Sequence, residues 1–290
     1  GLGDLARATA EQLKSQGMTS VSLRLDDTLF TGAQWNDGWE AGNEQYVAKI
    51  QPIMVDISST QNQGYSADPA MEAAQAFARH LSDAGITVDG DASRAAASSG
   101  ARELASVSSA PLSDILALSL KTSDNTMTEV EGRLVAVQAK ETADFAGASK
   151  AVAAQLRKDG FDTSGLTLLD SSGLAKGNKV PAKLLTQILA RSAGDKGGSA
   201  GRTLIADLPV GALDGTLGNR LHDTAAAGTV RAKTGSLEQT SSLAGVVTTA
   251  DGRLLAFSIL TNDFPANGST AAAAAIDNHF VAPLAACGCS

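Results

Sequence analysis

Helical spacing of apolar residues, together with capping signals at the ends, predicts seven helices along the chain. They are expected at 4–16, 69–84, 111–121, 126–140, 143–160, 181–193 and 269–285. Asp68 followed by Pro69 is a typical helix start, and Gly17 and Gly85 are typical stops. In the fourth segment the spacing is carried by Met127, Val130, Leu134 and Val137.

Alternation of apolar and polar residues predicts β-strands between these helices. Val21, Leu23 and Leu25 alternate in the segment 19–30. Further strands are expected at 86–90, 166–170, 228–235, 241–250 and 253–262, with Asp251–Gly252 as a hairpin signal between the last two. Helices followed by an antiparallel meander and a covering helix indicate an α+β fold.

Composition and charge disfavour several classes of protein but do not indicate a particular function. The chain has 290 residues and a net charge of −8, which disfavours a nucleic-acid partner. No run approaches the roughly 18 apolar residues of a transmembrane segment, and the first residues do not resemble a signal peptide. We expect no metal and no cofactor, because His80, His222 and His279 share no ligand-type spacing.

Two segments suggest irregular structure, and the two cysteines raise the question of whether they form a disulfide. Residues 89–101 are small and polar and are the best candidate linker, whereas 197–201 ("GGSAG") is expected to be a loop rather than a hydrolase nucleophile turn. Cys287 and Cys289 lie too close in sequence for an unstrained disulfide. We expect them to be free, or one of them to pair with a cysteine outside this chain.

Two tripeptides carry the candidate chemistry. Ser123–Asp124–Asn125 falls between two predicted helices, and Lys233–Thr234–Gly235 ends a predicted strand. Each has an ordinary explanation alone, since Ser and Asn are helix caps and Thr-Gly is a common turn. With a Ser-x-x-Lys segment, however, the two tripeptides form the motif set of penicillin-recognising serine acyltransferases. Their joint occurrence in the right order favours that interpretation.

The residue types suit attack on an acylated D-amino acid. Lys233 supplies positive charge for a carboxylate and a developing oxyanion, and the Thr234 and Ser236 hydroxyls are suited to bind that carboxylate. Gly235 allows close approach of a ligand, and the Ser236 N–H is a candidate half of an oxyanion hole. Asn125 is suited to hold a substrate amide, and Ser123 to pass a proton to the leaving amine.

On these motifs the chain resembles the class C low-molecular-mass penicillin-binding proteins. The resemblance includes "SDNTMTE" with Glu129, "LLDSSGLA" (168–175), "DGTLGNRL" (214–221) and "GTVRAKTGSL". It implies a penicillin-binding, β-lactamase/transpeptidase-like domain, with a five-stranded antiparallel sheet, a helical lobe and an inserted accessory domain. Residues 1–105 would belong to the insert and 106–290 to the C-terminal part of the penicillin-binding domain.

The nucleophile motif of the family is absent from this chain, because no serine has a lysine three positions on. Two explanations remain open. Either an N-terminal segment completing the active site lies outside this chain, or the protein is a degenerate relative. We favour the first, because a lost nucleophile would seldom leave the other motifs intact. The strand 253–262 would then have an open edge.

The resemblance implies a serine-type D-Ala-D-Ala carboxypeptidase or endopeptidase that acts on peptidoglycan peptides and binds β-lactam antibiotics. It also implies an extracytoplasmic location, in the periplasm or cell wall. A class A β-lactamase is disfavoured because no Glu-x-x-Leu-Asn segment lies between the two tripeptides. The alternative from another class is a non-catalytic peptidoglycan-binding scaffold that retains the cleft.

Overall fold

Two compact units divide the chain, and each draws on separate stretches of sequence. The structure is a computed structural model that describes residues 1–55 and 65–288. The first unit is made of Gly1–Ala110, Asn125–Val152 and Leu169–Lys176. The second unit is made of Pro111–Asp124, Ala153–Leu168 and Gly177–Ser290.

Helices account for most of the regular structure in the described residues. The α-helices are α1 (Leu2–Ser15), α2 (Pro69–Asp83), α3 (Leu112–Thr122), α4 (Asn125–Ala139), α5 (Phe145–Lys158), α6 (Ala182–Ala193), α7 (Gly198–Asp207), α8 (Ser269–Ile276) and α9 (Ala282–Ala286). The strands are β1 (Ser20–Val21), β2 (Arg24–Leu25), β3 (Thr87–Val88), β4 (Ser93–Arg94), β5 (Val230–Leu237), β6 (Thr240–Thr248) and β7 (Leu254–Asn262). Within this part of the chain, every helix is too short or too polar to cross a membrane.

The predicted helices are confirmed, and their ends follow the capping signals. The Asp68 side chain accepts a hydrogen bond from the Met71 N–H at 3.3 Å, and Pro69 occupies the first turn of α2. The last predicted helix is interrupted by a π-helical turn, Asp277–Val281, between α8 and α9. Pro283 follows this turn and has no N–H to continue a regular α-helical ladder.

The predicted strand 19–30 is instead two short strands with different partners. β1 pairs in parallel with β3, and β2 pairs in parallel with β4. β4 lies inside the predicted linker 89–101, so the linker prediction is wrong at this point. The Arg94 guanidinium in β4 is paired with the carboxylates of Asp27 and Asp68, which holds the segment on the first unit.

Two other local predictions are also wrong. The expected strand 166–170 contains only one bridge, between Thr167 and Lys179. The expected loop 197–201 instead leads into α7, where a Cβ at Gly201 would lie 2.7 Å from the Ser192 carbonyl oxygen of α6. Glycine is therefore required by close helix–helix packing rather than by a flexible loop.

The predicted meander is confirmed as an antiparallel sheet in the order β5-β6-β7. Its register pairs Val230 with Val247 and Val247 with Leu255. Alternate residues of the three strands pack with residues of α8, the π-helical turn and α9 to form the main core of the second unit. In the described residues β7 pairs only with β6, which agrees with the expected open edge.

Helix α4 buries a different face from the one suggested by its apolar spacing. Leu134 and Val137 are exposed, whereas Glu129 and Arg133 are buried. A Cβ at Gly132 would lie 2.0 Å from the Ser171 hydroxyl oxygen, so this face also lies very close to the segment 169–176. Buried polar side chains therefore contribute to the packing of α4 in the first unit, together with Ala136, which packs with Ala148 and Ala151.

The Arg133 side chain is held by carbonyl oxygens and aromatic rings. Its guanidinium donates hydrogen bonds to the carbonyl oxygens of Thr31, Ala33 and Ala143, at 2.7, 2.7 and 2.8 Å. It also lies over the Phe145 ring, 4.4 Å from the centroid. One side chain thus satisfies carbonyl groups from two loops of the first unit.

Glu129 and Asp170 form a pair of buried carboxyl groups beside this arginine. One Glu129 oxygen accepts the N–H groups of Ser171 and Ser172, at 3.0 and 2.7 Å. Asp170 accepts the Trp39 indole N–H at 2.8 Å and the Ala175 N–H at 2.6 Å. Burial, with a smaller contribution from the Asp170 charge, raises the pKa of Glu129 to about 7.

The boundary near residue 105, between an accessory insert and the C-terminal part of the penicillin-binding domain, stays a prediction. The first unit contains residues 1–105, but it also contains 125–152 and 169–176. The expectation of free cysteines is wrong for Cys287, which is disulfide-bonded, and Cys289 lies outside the described residues.

Replacing Arg133 by Met should lower the free energy of unfolding by about 3 kcal/mol or more, because three carbonyl groups lose their donor. Chemical denaturation of the two proteins measures the difference. Arg157→Met is the matched control, since Arg157 is exposed on α5, and it should change stability by less than about 0.5 kcal/mol. Equal effects of the two substitutions would contradict the role given to Arg133.

Replacing Glu129 by Gln should remove a pH dependence of stability. The folded pKa of about 7 lies above the ordinary value of 4.5, so the stabilisation is complete below about pH 4.5 and is lost as pH rises through about 7. Relative to wild type, Glu129→Gln should gain up to about 3 kcal/mol across this range. Denaturation series at several pH values measure the gain, with the exposed Glu103→Gln as a control that should show none.

Candidate functional site

Ser123 lies at the end of α3 in a backbone conformation that is unusual for serine. Its φ and ψ angles of 56° and 44° are in the left-handed region, and its N–H donates to the Ser119 carbonyl oxygen. The next N–H, of Asp124, also donates to Ser119, at 3.2 Å. The helix therefore stops sharply at Ser123.

Lys233 reaches this serine from β5. The Nζ atom donates a hydrogen bond to the Ser123 Oγ at 2.5 Å and another to the Thr234 carbonyl oxygen at 2.9 Å. Among the described residues, no carboxylate lies within ion-pair distance of this ammonium. Burial disfavours the charged form and lowers the pKa of Lys233 to about 8. The arrangement provides an ammonium without an acidic partner, next to a hydroxyl that is able to exchange protons with it.

Along β5, every second residue points its backbone N–H and carbonyl groups away from β6. Ala232 donates its N–H to the Pro209 carbonyl oxygen at 2.9 Å, and the Val230 carbonyl oxygen accepts the Gly211 N–H at 3.0 Å. Because hydrogen-bonding direction alternates along a strand, the N–H of Ser236 points toward the same edge. This is the orientation that an oxyanion-binding N–H at this position requires.

Gly235 is required by the neighbouring strand. It pairs with Ser242 on β6, and a Cβ at Gly235 would lie 2.3 Å from the Ser242 hydroxyl oxygen. The sequence suggested that a ligand needs the space above this glycine, whereas the structure shows that Ser242 already occupies part of it. Ser236, the next residue, is exposed.

Asn125 is the first residue of α4 and is described within the first unit. Its side-chain nitrogen donates a hydrogen bond to the Tyr46 carbonyl oxygen at 3.0 Å. The adjacent Thr126 hydroxyl accepts the Ala48 N–H at 2.9 Å, so the start of α4 is fixed on the loop 46–48. The structure thus brings Ser123 and Lys233 together and anchors Asn125 separately.

Thr216 and Lys121 were not among the predicted site residues. The hydroxyl oxygens of Thr216 and Thr234 lie 2.9 Å apart. Lys121, two residues before Ser123, forms an ion pair with Asp214 at 2.6 Å. The signal for Thr216 was the stretch "DGTLGNRL" (214–221), which carries part of the family resemblance, and the signal for Lys121 was its place two residues before the Ser-Asp-Asn tripeptide. Within the described residues, no group of three or more His, Cys, Asp or Glu side chains is suited to hold a metal ion.

Curated relatives of this chain are carboxypeptidases. The chain is 36% identical over 282 residues to a carboxypeptidase of Mycobacterium tuberculosis, covering 93% of this chain and 59% of the relative. It is 36% identical over 290 residues to the carboxypeptidase DacB of Mycolicibacterium smegmatis, covering 97% of this chain and 61% of the relative. The chain therefore spans about three fifths of the length of these relatives.

A solved structure shares the fold. The structure of penicillin binding protein 4 from Haemophilus influenzae matches with a TM-score of 0.72 and 22% identity, covering 89% of this chain and 73% of that one. The predicted transpeptidase-like α+β fold is confirmed at this level, and the inserted accessory domain stays a prediction.

A family model supports the resemblance seen in the motifs. The model describes the D-Ala-D-Ala carboxypeptidase 3 (S13) family and matches residues 56–282, which is well over half of the chain. The match includes the segments of both tripeptides and is consistent with a class C-like penicillin-binding protein. The chain belongs to the D-Ala-D-Ala carboxypeptidase 3 (S13) family.

Proposed function

We propose that the protein containing this chain is a penicillin-sensitive, serine-type D-Ala-D-Ala carboxypeptidase or endopeptidase that acts on peptidoglycan peptides through an acyl-enzyme. The observation that carries the proposal is the 2.5 Å contact between Lys233 Nζ and Ser123 Oγ, in which the lysine has no described acidic partner. Family membership and the carboxypeptidase relatives support the same reaction class.

The nucleophile is proposed to be a serine, with its lysine partner, in a segment of the protein outside this chain. Its hydroxyl oxygen attacks the carbonyl carbon of the D-Ala–D-Ala bond, and the proton that it loses passes to its lysine. The C–N bond then breaks, and the leaving amine takes a proton through the Ser123 hydroxyl, which Lys233 contacts. Water subsequently hydrolyses the ester and releases the shortened peptide.

The remaining residues are proposed to place the substrate. The Lys233 charge and the hydroxyls of Thr234 and Ser236 attract the terminal carboxylate, and the outward Ser236 N–H faces the developing oxyanion. Asn125 is proposed to hold the amide of the preceding residue. A β-lactam reacts in the same way, but its leaving amine stays tethered and its ester is released slowly.

The proposed setting follows from the substrate. Peptidoglycan is extracytoplasmic, so we propose that the protein works in the periplasm or the cell wall. We also propose that residues 1–105 are part of an accessory insert and that 106–290 are the C-terminal part of the penicillin-binding domain. An N-terminal segment carrying Ser-x-x-Lys would complete both the site and the sheet beside β7.

Labelled penicillin tests the proposed function directly. The full-length protein should become covalently labelled, and mass spectrometry should place the adduct on a serine of an upstream Ser-x-x-Lys segment. The proposal would be contradicted if the complete upstream sequence lacked this segment and the full-length protein were not labelled. Retained binding of muropeptides in that case would indicate a scaffold protein.

Replacing Lys233 by Ala in the full-length protein should slow acylation by labelled penicillin at least about 100-fold, because charge stabilisation in the transition state is lost. In the wild type, acylation should fall as pH rises through about 8, where Lys233 loses its charge. Lys233→Arg, slower overall, should lack this alkaline decline because arginine stays charged.

Lys196→Ala is the matched control for these measurements, because Lys196 is an exposed lysine of the same unit. Its acylation rate and pH profile should equal those of the wild type. An unchanged rate in Lys233→Ala, with normal unfolding behaviour, would remove Lys233 from the mechanism.

A further inference from the structure

The turn that carries Thr216 contacts both α3, which ends at Ser123, and β5, which carries Lys233. Gly215–Leu217 form a 3₁₀ turn, and Leu217 is completely buried in the core of the second unit. The Thr216 hydroxyl oxygen lies 2.9 Å from the Thr234 hydroxyl oxygen on β5. The turn is therefore anchored on one side by apolar packing and contacts the Lys-Thr-Gly strand on the other.

Lys121 fixes the same turn to the end of α3. Its ammonium donates hydrogen bonds to both Asp214 carboxylate oxygens, at 2.8 and 2.6 Å, and to the Leu208 carbonyl oxygen at 2.7 Å. Asp214 also accepts the Val210 N–H at 2.7 Å. The Asp214 carboxylate thus bonds within the loop that begins at Val210 and links this loop to Lys121, two positions before Ser123.

Gly215 permits this close approach. Its φ angle of +54° is in the left-handed region, and an added Cβ would lie 2.7 Å from the Lys121 carbonyl oxygen. The backbone of the turn therefore contacts the last turn of α3 directly. With the ion pair and the buried Leu217, this contact leaves Thr216 little freedom to move relative to β5.

A fixed hydroxyl at this distance controls where the Thr234 proton points. Each threonine hydroxyl has one proton to donate and two lone pairs to accept with. In the structure the Thr234 hydroxyl donates to the Thr216 oxygen. When an anion reaches Thr234, this proton can turn to the anion while Thr216 donates its own proton to Thr234, so both hydroxyls stay hydrogen-bonded. The adjacent Lys233 ammonium favours this reversal, because it attracts an anionic group to this end of β5.

We propose that Thr216 is a positioning residue that orients the Thr234 hydroxyl toward the terminal carboxylate of the substrate and so selects peptides with a free C-terminal carboxylate. This inference rests on the proposed function. The ion pair between Lys121 and Asp214 holds the turn at the distance that this orientation requires.

The test compares two acylated tripeptides ending in D-Ala-D-Ala, one with a free carboxylate and one with a C-terminal amide. In the full-length Thr216→Val protein, kcat/KM for the carboxylate peptide should fall about tenfold, the size expected for one hydrogen bond. The amide peptide should change less than about twofold, so the selectivity ratio should fall. Thr216→Ser, which keeps the hydroxyl, should retain most of the wild-type ratio.

Thr261→Val is the matched control, because it removes a hydroxyl bonded to Ser241 from β7, two strands away from β5, and should leave the ratio unchanged. If Thr216→Val unfolds at a lower temperature than the assay allows, Thr216→Ala provides the same comparison. An unchanged or increased ratio in a folded variant overturns the inference, since it means that the Thr234 hydroxyl reaches the carboxylate without Thr216 or in competition with it. A wild-type protein that penicillin does not acylate would instead refute the proposed function itself.

Discussion

The candidate site depends on one constraint, which is that the Lys233 ammonium is partly removed from water without a described carboxylate to neutralise it. A buried charge of this kind is costly, and the lowered pKa expresses that cost. Its described polar partners are the Ser123 hydroxyl and the Thr234 carbonyl group. An arrangement of this type is completed electrostatically when an anion binds, so the same feature favours an anionic ligand.

Several backbone features serve this one contact. Ser123 adopts a left-handed conformation that ends α3, and Gly235 leaves room for the Ser242 side chain of the next strand. The ion pair of Lys121 with Asp214 then links the end of α3 to the turn that meets β5. Each feature costs conformational freedom or needs a particular residue type, and together they keep a hydroxyl and an ammonium within 2.5 Å.

Local patterns predicted the helices and the meander well because helix periodicity, caps and tight turns depend on neighbours in sequence. They failed where a distant partner decides the outcome. The strand expected at 19–30 is divided because its two halves pair with different short strands. Helix α4 buries Glu129 and Arg133, which form hydrogen bonds with N–H and carbonyl groups of remote loops, and apolar spacing does not reveal these partners.

For the site, the residue types and their order can be read directly from the chain, and they were enough to identify the family. The folded chain adds that Lys233 contacts Ser123, that burial lowers the pKa of Lys233, and that Thr216 contacts Thr234. A sequence motif shows which side chains are present. The distances between them and their removal from water arise only when segments far apart in the chain pack together.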